Sequence, residues 1–316
     1  MLILSGTRPL AKYLKRVGNS TFHINSAYIG LEWIARGKGK PDDMEINWTN
    51  PKDPKSSADQ SRSLLHAAML GYVFDCIDSY LRLLTTVGWL KLSDDQRKIL
   101  RKSVTRPGGK EYAVWERFET LGVELGDEGK ANLAMVRVLS AWRNKTSHEG
   151  LEAEGEVRLD GNVKEQLLAA EVYLANRYGG LSVSEMFKQM SGNSTPRRKE
   201  IVGLVSASVN LTRFVDGKLI ANAIKRESDL ETVAFTEIAW ALTGNDQKLE
   251  SAVRRLWGTN EAARARRFAA ILEEASFKKA SVMDGVGLSD DFAIALAKKN
   301  LEAALRLIDV PENSIR

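Results

Sequence analysis

Leu64-Leu65-His66-Ala67-Ala68-Met69-Leu70-Gly71-Tyr72-Val73-Phe74-Asp75-Cys76-Ile77-Asp78-Ser79-Tyr80-Leu81-Arg82-Leu83-Leu84 is the stretch that sets the fold class. Leu64, Leu65, Ala68, Met69, Tyr72, Val73, Cys76, Ile77, Tyr80, Leu81 and Leu84 recur at spacings of three and four. That period lays them along one broad face of a helix, with the width a bundle interior needs. The run reads as a helix from about residue 58 to 88.

The same period dominates outward from this segment, and strand-like alternation is hard to find. An early helix fits 26–36, with Ile29, Trp33 and Ile34 on one side. Pro41, Pro51 and Pro54 among many charges make 37–57 a loop. Ser93-Asp94-Asp95 has the form of a helix start, an N-cap followed by acids in the first turn, and opens a helix to about 103. Pro107-Gly108-Gly109 breaks the chain. Helices then fit 111–122, 127–147 and 162–177. The 127–147 helix buries Leu133, Val136, Leu139 and Trp142. Ser191-Gly192-Asn193-Ser194-Thr195-Pro196 reads as a linker, and shorter helices fit 197–211, 228–242, 246–256, 260–275 and 289–308. The expected fold is all-α, in two domains: a helical bundle with an N-terminal extension over 1–190, and a smaller helical domain over 197–316.

Bulk properties narrow the function classes. The 316 residues are 43% hydrophobic and 28% charged, which is ordinary globular composition. The formal charge of +5 is too small to indicate a nucleic-acid partner by itself. The lone Cys76 excludes an intrachain disulfide and a thiolate metal cluster, fits a reducing cytoplasm, and reads as a small core residue. The apolar run at the N-terminus is too short for a signal peptide, and no stretch is long enough for a membrane span. No metal or other cofactor is expected. The glycines of Asp284-Gly285-Val286-Gly287 do not follow a strand, so they do not read as a dinucleotide loop.

Three histidines are present: His23, His66 and His148. His66 sits inside the long apolar helix and reads as structural, and His23 has no clear partner. His148 closes Arg143-Asn144-Lys145-Thr146-Ser147-His148 and precedes Glu149-Gly150. Lying at the end of an amphipathic helix in a bundle, this segment resembles the HEPN superfamily, whose ribonuclease members carry an Arg, four to six residues, then His, often with Asn after the Arg. The resemblance covers roughly 58–180. It implies a metal-independent endoribonuclease with a toxin or phage-defence role, products ending in a 2′,3′-cyclic phosphate and a 5′-hydroxyl, and a cognate antitoxin or regulatory partner. It also implies that an acidic residue on the long earlier helix supports Arg143; Asp78 is the first choice and Asp75 the second. Gly150 stands where some toxins of the superfamily have a Tyr that an antitoxin modifies.

The residue types suit that chemistry. An imidazole moves protons near neutral pH. A guanidinium stays charged, holds two phosphate oxygens and offsets charge growing in the transition state. Residues five apart on a helix are separated by about 140° around its axis, so one Arg143 and one His148 make a spread-out site. Two copies across a two-fold axis would gather two of each, which makes a homodimer the expectation. Asn144 would position phosphate or fix the Arg143 rotamer. The bland account is a polar helix end, where basic residues and His are favoured by the dipole.

For RNA contact, Lys145 and the C-terminal Arg254, Arg255, Arg264, Arg266 and Arg267 are candidates, with Trp257 and Phe268 nearby for base stacking. The bland account is a solvated face, favoured by Glu261, Glu273 and Glu274. Alternative functions are an inactive HEPN-like scaffold that binds RNA or protein, and a DNA-binding regulator, for which no helix-turn-helix spacing appears.

Overall fold

The computed structural model describes residues 1–146, 157, 159–192, 195–243, 248–280 and 286–308. Among these the fold is all-α, with fourteen helices and two short strands. The elements are β1 (Leu2–Leu4), α1 (Arg8–Ala35), α2 (Pro54–Leu84), α3 (Asp94–Leu100), α4 (Val114–Glu119), α5 (Gly126–Asn144), α6 (Gly161–Ala169), α7 (Glu171–Arg177), α8 (Val183–Ser191), α9 (Arg198–Ala223), α10 (Glu227–Thr243), α11 (Leu249–Trp257), α12 (Glu261–Glu274), β2 (Phe277–Lys279), α13 (Phe292–Lys298) and α14 (Leu301–Ile308). β1 and β2 pair antiparallel, with Ile3 opposite Lys278. No helix among the described residues is long and apolar enough to cross a membrane.

Local chemistry explains most helix ends. The Ser93 hydroxyl accepts from Gln96 N–H at 3.2 Å and the Gln96 side chain accepts from Ser93 N–H at 2.8 Å, a reciprocal cap that starts α3. Pro54 stands at the first position of α2, where its missing N–H does no harm, and the Asp53 carboxylate accepts from Ser56 N–H at 3.0 Å.

Several elements differ from the periodicity reading. α1 starts at Arg8 rather than near 26, because the Thr7 hydroxyl accepts from Leu10 N–H at 3.2 Å and Leu10, Tyr13 and Val17 are buried. The Gly18-Asn19-Ser20-Thr21 cluster lies inside this helix. α8 was not anticipated, although Ser182 accepts from Glu185 N–H at 3.2 Å and the Ser-x-x-Glu spacing advertises a helix start. α9 runs on to Ala223, well past 211. The 162–177 helix is two helices meeting at Ala170, and the 289–308 helix is two, the second capped by Asn300 accepting from Ala303 N–H at 2.8 Å.

The chain forms two compact units, neither a single stretch of sequence. One comprises Met1–Lys12, Tyr80–Val123 and Arg213–Arg316; the other comprises Tyr13–Ser79 and Glu124–Thr212. The segment 191–196, read as a boundary, falls inside the latter.

In the first unit, buried carboxylates organise the packing. Asp216 accepts from Thr7 N–H at 2.8 Å, from the Thr7 hydroxyl at 2.5 Å and from the Tyr80 hydroxyl at 3.1 Å. Glu237 accepts from the Trp89 indole at 2.8 Å and pairs with Arg8 Nε at 2.5 Å, while the Arg8 guanidinium lies 3.4 Å from the Trp240 ring centre. Burial pushes both carboxyls above the usual range, against the pull of these donors.

In the second unit, α5 buries Leu133, Val136, Leu139 and Trp142, as its period requires. A polar knot joins three elements: the Tyr178 hydroxyl donates to Asn132 at 2.5 Å on α5 and accepts from Asn210 at 2.9 Å on α9. Burial raises the Tyr178 hydroxyl to about 12. Cys76 is a core residue, its thiol pushed up by burial. The apolar face of α2 divides at its middle: Met69, Leu70, Val73 and Ile77 are buried, but Leu64 and Tyr72 are exposed.

His66 is buried, as a structural histidine should be; Nε2 meets the Tyr28 hydroxyl and the ring hydrogen-bonds the Pro196 carbonyl. Burial holds its pKa below the ordinary value of 6.5. The folded protein therefore keeps the ring neutral where the unfolded chain binds a proton. The stability this confers is complete above about pH 6.5 and is lost as pH falls through the folded pKa. Urea unfolding followed from about pH 7.5 to about pH 5.5 should show falling stability in the wild type and a flatter profile in His66→Gln. Parallel profiles would contradict this account.

Candidate active site

The geometry at the end of α5 starts from Trp142. Its side chain is buried, which fixes the last turn against the core, and the next residue, Arg143, is half-buried. The Arg143 guanidinium lies 4.9 Å from the Phe74 ring centre on α2, and its Nη1 donates to Asn144 Oδ1 at 3.3 Å. A cation over an aromatic face is attracted by the ring quadrupole, so Phe74 acts as a platform that limits where Arg143 can point. Asn144 thus holds one nitrogen of the Arg143 guanidinium.

Past Asn144 the helix opens into a wider π-type turn at Lys145–Thr146, a geometry common where helices carry function. The Thr146 hydroxyl donates to the Trp142 and Arg143 carbonyls, each at 3.1 Å. Lys145 is half-buried at this turn. The carbonyl end of α5 carries partial negative charge, which favours cations at 143 and 145 whatever their further role. His148 lies outside the described residues.

The two acidic candidates on α2 differ in burial. Asp78 is four residues beyond Phe74, hence one turn along on the same side, and is buried. Asp75 is exposed. It is one of the charges felt by Arg16 of α1, whose guanidinium lies 5.5 Å from the Tyr72 ring centre. A hydrogen bond to the Tyr72 side chain raises the Arg16 pKa, with lesser help from Asp75. The geometry therefore favours Asp78 over Asp75 as the acid on the Arg143 side. Phe74 is the residue that the sequence reading missed in this role. The only signal for it was its place one turn before Asp78.

The C-terminal arginines belong to the other compact unit. Arg254 is tied to Glu250, one turn back, at 2.7 and 2.9 Å. Arg264 Nε donates to the Ala297 carbonyl at 3.1 Å, and its Nη1 donates to the Thr259 carbonyl at 2.5 Å and the Trp257 carbonyl at 3.4 Å. It lies 5.5 Å from the Trp257 ring centre. Arg264 thus fastens the ends of α11 and α13 to α12, and Phe268 is buried and has no open face for a base. Arg255 and Arg267 are exposed. Arg266 lines a cavity of about 910 Å³ together with Lys278 and Lys279, but also with Glu261, Glu273 and Asp290, so its charge is mixed. These five residues do not form one basic surface. Among the described residues, no group of three or more His, Cys, Asp or Glu is arranged to hold a metal ion.

Two outcomes test these assignments. Arg143→Ala and Phe74→Leu, combined in a double-mutant cycle read by urea unfolding, should show a coupling of about 0.5–1 kcal/mol; no coupling would mean that the ring is not a platform. Arg264→Ala should destabilise by about 1–3 kcal/mol because it leaves carbonyls unserved, whereas Arg267→Ala should stay within about 0.5 kcal/mol of wild type. Equal effects would remove the structural role given to Arg264.

Comparison of the chain with family models, with curated proteins and with solved structures yields no match.

Proposed function

We propose that this chain is a metal-independent endoribonuclease of the HEPN type, acting through Arg143 and His148. The observation that carries the reading is the Arg143–Asn144 pair held over Phe74 at the end of a long bundle helix, within the segment Arg143-Asn144-x-x-x-His148. The all-α fold and the position of Asp78 on the same side of α2 as Phe74 support it.

In this reading the RNA 2′-hydroxyl attacks the adjacent phosphorus. The His148 imidazole takes the hydroxyl proton, the 5′-oxygen of the next nucleotide leaves, and a proton is returned to that oxygen. The second proton transfer falls to the His148 of a second copy or to water. Arg143 holds the non-bridging phosphate oxygens and offsets the charge that builds on them. Asn144 and Phe74 keep the guanidinium oriented, and Asp78 supports it from α2. The products are a 2′,3′-cyclic phosphate and a 5′-hydroxyl. A toxin or defence role, with a regulator that restrains the site, belongs to the same proposal.

The test is cleavage of end-labelled RNA by purified protein in excess chelator. Wild type should cut RNA and leave DNA of the same sequence intact, and a single 2′-deoxy substitution should block the cut at that position. Arg143→Ala and His148→Ala should each reduce the rate by about 100-fold or more. RNA bound equally by all three proteins without cleavage would replace the enzyme with a scaffold. Cleavage retained by both variants would remove this site from the chemistry.

A further inference from the structure

β1 has a neighbour on each side. Leu2 exchanges hydrogen bonds with Leu288 at 2.7 and 2.8 Å, and β2 runs along the other side. Among the described residues β2 is therefore an edge strand. Two bonds fix how it pairs: Ser5 N–H donates to the Ser276 carbonyl at 3.0 Å, and Ala280 N–H donates to the Met1 carbonyl at 2.9 Å. In an antiparallel ladder, hydrogen-bonded pairs alternate with pairs that exchange no bond. With Leu2 opposite Lys279, Ile3 opposite Lys278 and Leu4 opposite Phe277, the bonded positions are Ser276, Lys278 and Ala280. Phe277 and Lys279 consequently turn their N–H and C=O groups away from β1. Among the described residues no hydrogen bond serves those groups.

The same strand borders the cavity of about 910 Å³ that Arg266 lines. Phe277, Lys278 and Lys279 all line it, although Lys278 points its side chain to the opposite face from the other two. A space that meets all three runs along the strand's backbone and not over one face alone. Across the cavity, α12 offers the small side chains of Ala262, Ala265 and Ala269. An edge strand beside a helix, with unserved backbone groups on the strand and apolar space next to it, has the form of a site for strand addition.

We propose that β2 accepts an extended peptide as an added strand, and that the peptide carries an apolar–acidic–apolar pattern. The backbone selects the occupant: donors and acceptors repeated two residues apart match those of another extended chain. The side chains set the pattern. Peptide residues opposite Phe277 and Lys279 share the face of Leu2 and Phe277, where the cavity is apolar. The residue between them falls opposite Lys278, on the other face, where an acid makes a cross-strand pair. The strand itself carries two exposed lysines and no acid; Glu261, Glu273 and Asp290 reach the cavity from α12 and from the turn before α13. Lysines on an edge discourage indiscriminate strand pairing, and here they favour an acidic chain over a basic one. The proposal uses none of the residues of the Arg143 site and holds whether or not that site cleaves RNA.

The test is selection of displayed degenerate nonapeptides on the full chain, followed by titration of the strongest binder as a synthetic peptide. Lys279→Pro is the edge variant. It deletes an N–H that points away from β1, so the β1–β2 bonds stay in place. Lys279→Ala is its control, and Ala269→Leu narrows the cavity. Wild type and Lys279→Ala should bind the peptide. Lys279→Pro should weaken binding by about 10-fold or more, Ala269→Leu should weaken it as well, and circular dichroism should match wild type in both. N-methylation of one alternate set of peptide residues should abolish binding to wild type, and methylation of the other set should leave it intact, because a period of two belongs to strand pairing. A selection that enriches no peptide overturns the proposal, as does a peptide bound equally by Lys279→Pro. Equal loss from both methylated sets replaces the strand with a helix, and no loss from either reduces the cavity to an apolar ligand site; each of these also overturns strand addition.

Discussion

From Met69 to Leu84 the inward side chains of α2 are sealed from water: Met69, Leu70, Val73, Ile77, Tyr80, Leu81 and Leu84 are all buried. Each such side chain stabilises the fold by about 1.5–3 kcal/mol through lost contact with water. This helix supplies core to both compact units, since the unit boundary in the sequence falls between Ser79 and Tyr80. It also carries Phe74, the platform under Arg143. Burial of one face fixes the rotation of α2 about its axis, and that rotation decides where Phe74 and Asp78 point. The candidate site is therefore positioned by core packing more than by any contact of its own.

The buried polar groups constrain the same elements more sharply. An apolar contact tolerates a small slide, but Asp216 needs its three donors at hydrogen-bonding distance in a medium that penalises an unpaired carboxylate. Thr7 and Tyr80 supply those donors, so the starts of β1–α1 and of the buried end of α2 are tied to α9. In the other unit Tyr178 plays the corresponding part, with Asn132 fixing α5 and Asn210 fixing α9. A shift of α5 along its axis would break this knot, so the helix that carries Arg143 is anchored by Asn132.

Residues of one type divide sharply by surroundings. Arg143 rests on a ring and reaches a side-chain amide, whereas Arg264 points its donors at three backbone carbonyls. The first arrangement leaves a half-buried guanidinium beside a ring; the second closes helix ends. His66 is likewise held neutral by burial between Tyr28 and Pro196, which suits packing rather than proton transfer to a ligand.

What sequence alone determined is what neighbours within a few residues determine. The three-four period marks α2, α5, α10 and α12, and Ser93 with Gln96 marks the start of α3. Cys76 belongs in the core, and Arg143-Asn144 stands at a helix end. Only the tertiary structure decided that α1 begins at Arg8, since Thr7 is held by Asp216, 209 residues away. It also decided which half of the α2 stripe is covered, that Phe74 carries Arg143, and that Arg264 is a fastener. The physical reason is the same in each case. Periodicity and caps record contacts along one helix, while burial, buried hydrogen bonds and ring contacts pair residues that no local pattern links.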